Sequence, residues 1–276
     1  MDGIDIARYQ KSINLSKVPC DFVIIKATQG ISYVSKTFRA QIEDAIKNNK
    51  HIGVYHYAGG GGYNNEAEHF LKTVAPYIGR VILVLDWEGD QNPNFKNHAY
   101  AVEWLKYVYR KTGIRPFIYM SKSVCRAYKG WDASFPLWVA QYKNEALTGY
   151  QDSPWTDNKG YGPWVKPLIF QYTSHGRLPG YNANLDLDKA YMADWDMYCK
   201  PMGESGYPTL KRGMGGDMVK IAQTLLNDVN SAGLVVDGIF GPKTEQAVKD
   251  FQTAHIDECK MIDGIIGWRT WAALTR

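Results

Sequence analysis

The chain has 276 residues, 45% of them hydrophobic, a formal net charge of +4, 4 cysteines, 19 tyrosines and 9 tryptophans. That is enough for one large domain and one small one with real cores, and no apolar run approaches the roughly 18 residues of a membrane span, so no membrane insertion is expected. The scattered charge, without a Lys/Arg cluster or a reading motif, excludes nucleic acid, and Cys20, Cys125, Cys199 and Cys259 lack zinc-ligand spacing, so neither metal nor cofactor is expected and the thiols read as free.

In chain order, short apolar or alternating runs at 3–7, 22–28, 51–58, 81–88, 115–121, 137–142, 167–173 and 185–191 read as eight strands. Helical periodicity lies between several of them, at 35–49, 64–77 and 95–112. Alternation of this kind predicts an α/β protein with βα units and a parallel sheet, closed as an incomplete TIM-like barrel. Helices drop out of its last third, where residues 149–165 read as a long loop or short hairpin. Residues 200–208 have linker composition, separating a domain at 1–199 from a tail at 209–276. The tail contains a repeat, Val-Asp-Gly-Ile-Phe-Gly-Pro-Lys-Thr at 236–244 and Ile-Asp-Gly-Ile-Ile-Gly-Trp-Arg-Thr at 262–270. In each copy Asp-Gly predicts a turn, the second Gly an unusual backbone angle and Thr a helix cap, within a small three-helix unit. From residue 203 onward there are 8 Lys+Arg against 9 Asp+Glu, so the excess positive charge belongs to the barrel, favouring an anionic target.

The fourth strand ends Leu-Asp-Trp-Glu at 85–88. Side chains two apart on a strand share a face, about 6.5–7 Å apart along it, which suits two carboxylates acting on one glycosidic bond. A strand ending in solvated acids accounts for the pattern as well. Asp5 in strand one and Asp186 and Asp188 in strand eight add acids at strand ends, and strands one and eight are neighbours in a parallel barrel, whose C-terminal rim carries active sites. Crowded carboxylates raise each other's pKa and supply the protonated acid that glycoside cleavage requires. Tyr55 and Tyr57 share a face of strand three, and Tyr119, Trp138 and Gln171 end strands five, six and seven; each is positioned either to contact a glycan or to fill the core. His56 reads as a hydrogen-bonded structural histidine, and Lys26 as a salt-bridge partner.

The first 195 or so residues resemble glycoside hydrolase family 25, through Gly-Ile-Asp-Ile-Ala-Arg-Tyr-Gln at 3–10, Ile-Lys-Ala-Thr-Gln-Gly at 25–30, Gly-Val-Tyr-His-Tyr-Ala at 53–58, Leu-Asp-Trp-Glu at 85–88, Leu-Trp-Val-Ala-Gln-Tyr at 137–142, Phe-Gln-Tyr at 170–172 and Leu-Asp-Leu-Asp at 185–188. The resemblance implies a flattened, incomplete β/α barrel that cleaves the β-1,4 bond after N-acetylmuramic acid in peptidoglycan. It makes Glu88 the general acid and then base, and gives Asp86 the substrate's 2-acetamido group to orient, so that the sugar is its own nucleophile and configuration is retained. A directly attacking carboxylate is the other route. Asp5 and Asp186 match two flanking aspartates with electrostatic and positional roles. The chain departs from the family at Ala7, where Ser is common, at Gln29, often Glu, and at Asp188, commonly Asn.

The tail resembles the type 1 peptidoglycan-binding module, through 213–226, 236–241, Ala247-Val248, Phe251-Gln252 and the stretch from Asp263-Gly264 to Trp271, with Ile256 to Cys259 replacing a shorter connection. Together the two resemblances describe a phage endolysin that acts as a monomer on bacterial peptidoglycan. With no space for a signal peptide ahead of the first strand, the expectation is a host-cytoplasmic protein released through a holin lesion. The alternatives are a wall-binding protein that keeps the barrel as a lectin, and a chitinase-like N-acetylglucosaminidase.

Overall fold

The computed structural model describes residues 1–192, 194–201 and 209–274, Trp268 by its backbone alone. It forms two compact units, Met1–Cys199 and Lys200–Arg276. Most of the expected linker, residues 202–208, lies outside the described residues.

The first unit has nine strands: β1 Asp2–Ile6, β2 Phe22–Gln29, β3 Tyr33–Val34, β4 His51–Tyr57, β5 Ile82–Asp86, β6 Phe117–Ser121, β7 Leu137–Ala140, β8 Ile169–Gly176 and β9 Leu185–Ala190. Eight of them close into a barrel in the order β1-β9-β8-β7-β6-β5-β4-β2, sealed by pairing of β1 with β2, while the two-residue β3 hangs antiparallel on β2. The first seven barrel strands run parallel. The eighth, β9, does not: it is antiparallel to both β8 and β1. Residues 177–184 are too few for a crossover, which takes a dozen or more, so the chain turns back as a hairpin.

Helices α1 Phe38–Lys47, α2 Tyr63–Val74, α3 His98–Thr112 and α4 Lys122–Ala127 follow β3, β4, β5 and β6. The first and third fall within the expected stretches, and the second starts one residue ahead of its own, at Tyr63. Pro76 ends the second in a 3-10 turn, and Gly113, at φ 70°, ends the third in the left-handed conformation that glycine adopts freely. The segment between β7 and β8 is irregular, with a bridge between Tyr161 and Trp164 inside it and another from Thr148 to Gly176 of β8.

Strand alternation sorts the side chains into two cores. Val23, Ile25, Val54, Leu83, Leu85, Ile118 and Met120 face outward, against helix residues such as Phe70, Trp104 and Leu105. Phe22, Ile24, Ile82, Val84, Phe117 and Ile169 fill the lower barrel, which Trp195 closes, its ring 4.9 Å from that of Phe22. Gly3 is required here, because a Cβ would lie 2.4 Å from the Phe22 ring. Higher in the barrel the same inward rows turn polar, from Gly3 to Asp5, from Val84 to Asp86 and from Ile169 to Gln171.

The second unit contains α5 Asp217–Asn230, α6 Pro242–Ala254, a single-turn α7 Ile256–Cys259 and α8 Trp268–Leu274 around Leu226, Phe240, Phe251 and Trp271. The extra turn α7 occupies the segment that departs from the module's usual connection. The repeat works differently from expectation. Its first glycines, Gly238 and Gly264, take the positive φ, whereas Gly241 is extended and caps α6. The threonines do not cap: the Gln223 amide reaches Asp237, the Ile239 carbonyl and Thr244 at 2.8, 3.1 and 3.2 Å, and accepts from the Gly238 N–H at 2.9 Å. Gln252 makes the same contacts with Asp263, Ile265, Thr270 and Gly264. Two buried glutamines thus latch the two turns. Gln252→Ala leaves the Asp263 and Gly264 N–H groups without their acceptor and is expected to lower local stability by about 2–3 kcal/mol, read as faster amide exchange at Gly264.

Candidate active site

Strand β5 ends at Asp86, but its ladder continues one step, with the Trp87 N–H bonded to the Tyr119 carbonyl at 2.9 Å. Alternation therefore persists: Asp86 points inward, Trp87 outward and Glu88 inward. Trp87 is fully buried, its indole N–H donated to His98 at 3.0 Å, which anchors the acids on either side of it. Both acids open into a cavity of about 630 Å³ at the top of the barrel. Asp5, Asp186, Tyr55, Tyr57, Tyr119, Trp138 and Gln171 line the same cavity, so all nine candidate site residues come together.

Asp5 and Asp186 are direct cross-strand partners on β1 and β9. Because β9 is antiparallel, Asp186 reaches the rim from the beginning of its strand; the expected C-terminal position is corrected by the same hairpin that reverses the strand. Asp188 lies one inward step deeper, fully buried, accepting a hydrogen bond from the Trp138 indole at 2.8 Å. Gln171 donates to Asp5 at 2.6 Å and accepts from the Tyr119 and Tyr142 hydroxyls.

Burial lifts the acids above their ordinary range. For Asp86 the charge of Glu88 adds to it and Lys26 opposes; for Glu88, Lys26 opposes and Asp90 adds. Asp186 is pushed up to about 6 by burial and Glu88. Asp5 is raised well above its usual value by burial and by Asp186 and Asp188, with the Gln171 bond pulling the other way. The cavity therefore holds carboxyls that keep protons at pH values where exposed acids have lost theirs.

Among the described residues Lys26 makes no carboxylate salt bridge; its ammonium donates to Gln29 at 2.8 Å and sits 4.4 Å from the centre of the Tyr57 ring. His56 faces the other way, buried outside the barrel between Thr28 at 2.8 Å and Glu66 at 2.9 Å, stacked on Trp104. Glu66 also accepts the Gly59 and Gly61 N–H groups, so this pair fixes the loop after β4. Arg8, Tyr9, Tyr33, Asp90, Gln91 and Tyr142 also line the cavity and were not singled out from sequence. Arg8, Tyr9 and Tyr142 lie inside two of the segments that carry the family resemblance, and that was their available signal. Among the described residues, no group of three or more His, Cys, Asp or Glu side chains is arranged to hold a metal ion.

The family model described as glycosyl hydrolases family 25 matches residues 4–181, and that of a putative peptidoglycan binding domain matches residues 215–274. An autolytic lysozyme of Clostridium acetobutylicum is 29% identical over 259 residues, covering 92% of this chain and 73% of its own. In fold, the first unit is similar to a bacterial lysozyme from Streptomyces coelicolor, with TM-score 0.60, 22% identity and coverage of 72% of this chain and 96% of that one. It is also similar to the catalytic domain of the endolysin ply40 from Listeria monocytogenes bacteriophage P40, with TM-score 0.57, 22% identity and coverage of 71% and 95%. A closed barrel with paired acids at the end of β5, matched by the family model over most of that barrel, makes this chain a member of glycosyl hydrolases family 25.

Proposed function

We propose that the protein is a muramidase that hydrolyses the β-1,4 bond between N-acetylmuramic acid and N-acetylglucosamine in peptidoglycan, with a tail that holds it on the wall. The observation that carries this reading is the pair Asp86 and Glu88 opening from one strand into a cavity walled by Tyr55, Tyr57, Tyr119 and Trp138, whose faces and hydroxyls suit sugar rings. Glu88, half-buried with a raised pKa, protonates the leaving oxygen and then activates water. Asp86 orients the 2-acetamido group. Its buried Oδ1 has no hydrogen-bond partner among the described residues, and an acetamide N–H would satisfy it. The sugar's own carbonyl then attacks and configuration is retained. Asp5 and Asp186 shape the field, and Gln171 holds Asp5.

Loss of turbidity from purified cell walls, followed by mass spectrometry of the products, tests this: muramic acid reducing ends support it, while glucosamine ends or no cleavage overturn it. Deleting residues 203–276 is expected to weaken wall pelleting at least tenfold with soluble-fragment cleavage preserved, because tethering raises local substrate concentration. The likeness to a phage endolysin's catalytic domain supports a finer reading, in which a monomeric enzyme waits in the host cytoplasm until a holin lesion admits it to the wall.

A further inference from the structure

Glu88 lies one residue past the last ladder bond of β5, so its placement leans on the side chains at either hand. On one side the Tyr57 hydroxyl donates to the Asp90 carbonyl; on the other Trp87, between the two acids, donates its indole N–H to His98 Nδ1 at 3.0 Å. An indole nitrogen only donates, so Nδ1 must accept: the imidazole is neutral and carries its proton on Nε2. The surroundings favour that form. The rings of Tyr128 and Trp131 stand 5.4 and 5.2 Å from the imidazole, and Phe95 meets it edge-on at 5.7 Å. His98 is the first residue of α3, where the helix dipole opposes a positive charge, and burial holds its pKa below the ordinary value. The titratable group facing the ring is Tyr128. The charged residues on the packed segments, Lys96, Lys129 and Asp132, make no ion pair with it among the described residues, and Glu88 points the other way, into the cavity.

We propose that His98 is a positioning residue for Glu88: its neutral ring holds Trp87, and through it the acid pair at the end of β5, and proton uptake by the ring releases them. Once the ring is protonated both of its nitrogens are donors, and the Nδ1 proton meets the indole proton head-on. The acid side of the pH profile then carries a contribution from a residue outside the cavity wall, separate from those of Asp86 and Glu88.

Above about pH 6.5 the ring is neutral in folded and unfolded chains alike; below it the unfolded chain takes up a proton that the native ring refuses, so stability from His98 falls as pH falls. In the full chain, nitrogen-15 spectra at neutral pH are expected to show an unprotonated Nδ1 and a protonated Nε2 at His98, with the Trp87 indole signal shifting on acidification at the midpoint of the ring. A protonated Nδ1, or an indole signal indifferent to that titration, overturns the proposal. His98→Phe removes the acceptor and is expected to lower kcat on purified walls by about 10- to 100-fold with KM little changed. His98→Asn offers an amide oxygen in place of Nδ1 and should restore kcat at neutral pH while making the acid limb shallower. Trp87→Phe should cost at least as much as His98→Phe, and the double variant little more than Trp87→Phe alone. Full additivity, or an acid limb unchanged in His98→Asn, removes His98 from positioning. If His98→Phe does not fold, the acid limb of His98→Asn and the spectra decide. Only the kinetic arm rests on the muramidase reading: a parent that cleaves no wall refutes that reading, while the tautomer and the indole shift still decide the anchor.

Discussion

Replacing Glu88 by Gln is expected to slow lysis of purified walls by a factor of about 10²–10⁴ while wall binding stays intact, the range over which general acid–base catalysis contributes. The substitution keeps shape and hydrogen bonding but removes the transferable proton. Glu88 suits that role because it is half-buried rather than sealed, so it reaches substrate, and because burial and Asp90 hold its proton above the usual glutamate value of 4.5. The acid form is the active one for the first step, so lysis should decline as pH rises through this raised pKa. Turbidity assays paired with pelleting of the variant on walls check both halves. Lysis at the parental rate with bound protein would remove Glu88 from the reaction.

Asp86→Asn is the second large effect, a loss of about 10²–10³ in kcat if its carboxylate stabilises charge that develops on the substrate's acetamido group. Burial and Glu88 disfavour a charge on Asp86, and Lys26 works against them, so the strand end carries two acids of unequal standing: Glu88 opens toward substrate, and Asp86 is enclosed with an unsatisfied oxygen. Nuclear magnetic resonance of the first-formed product anomer reads the stereochemistry, with the β-anomer expected. A covalent glycosyl adduct on Asp86, found by mass spectrometry after rapid quench, would replace substrate assistance with direct attack.

Much of the barrel was legible because its strands are short, apolar and punctuated, and three helices carry clear 3.6 periodicity. The six-residue α4 was not, since one and a half turns give no periodic signal. In the tail the Asp-Gly turns were visible, yet the roles of the second glycines and the threonines were misassigned: nothing within nine residues reveals that Gln223 and Gln252, on the preceding helices, complete the hydrogen bonding.

The sequence by itself determined the acids and their alternation, because side-chain direction along a strand is a local property: Asp86 and Glu88 share a face whatever the barrel does with it. It equally determined the family, through short segments in order. Tertiary structure decided what no local pattern encodes. A connection of eight residues reversed β9, placing Asp186 opposite Asp5 from the start of its strand and leaving Asp188 one step deeper, fully buried against the Trp138 indole. Protonation depends on burial and on neighbours distant in sequence, so the state of these acids exists only in the closed barrel.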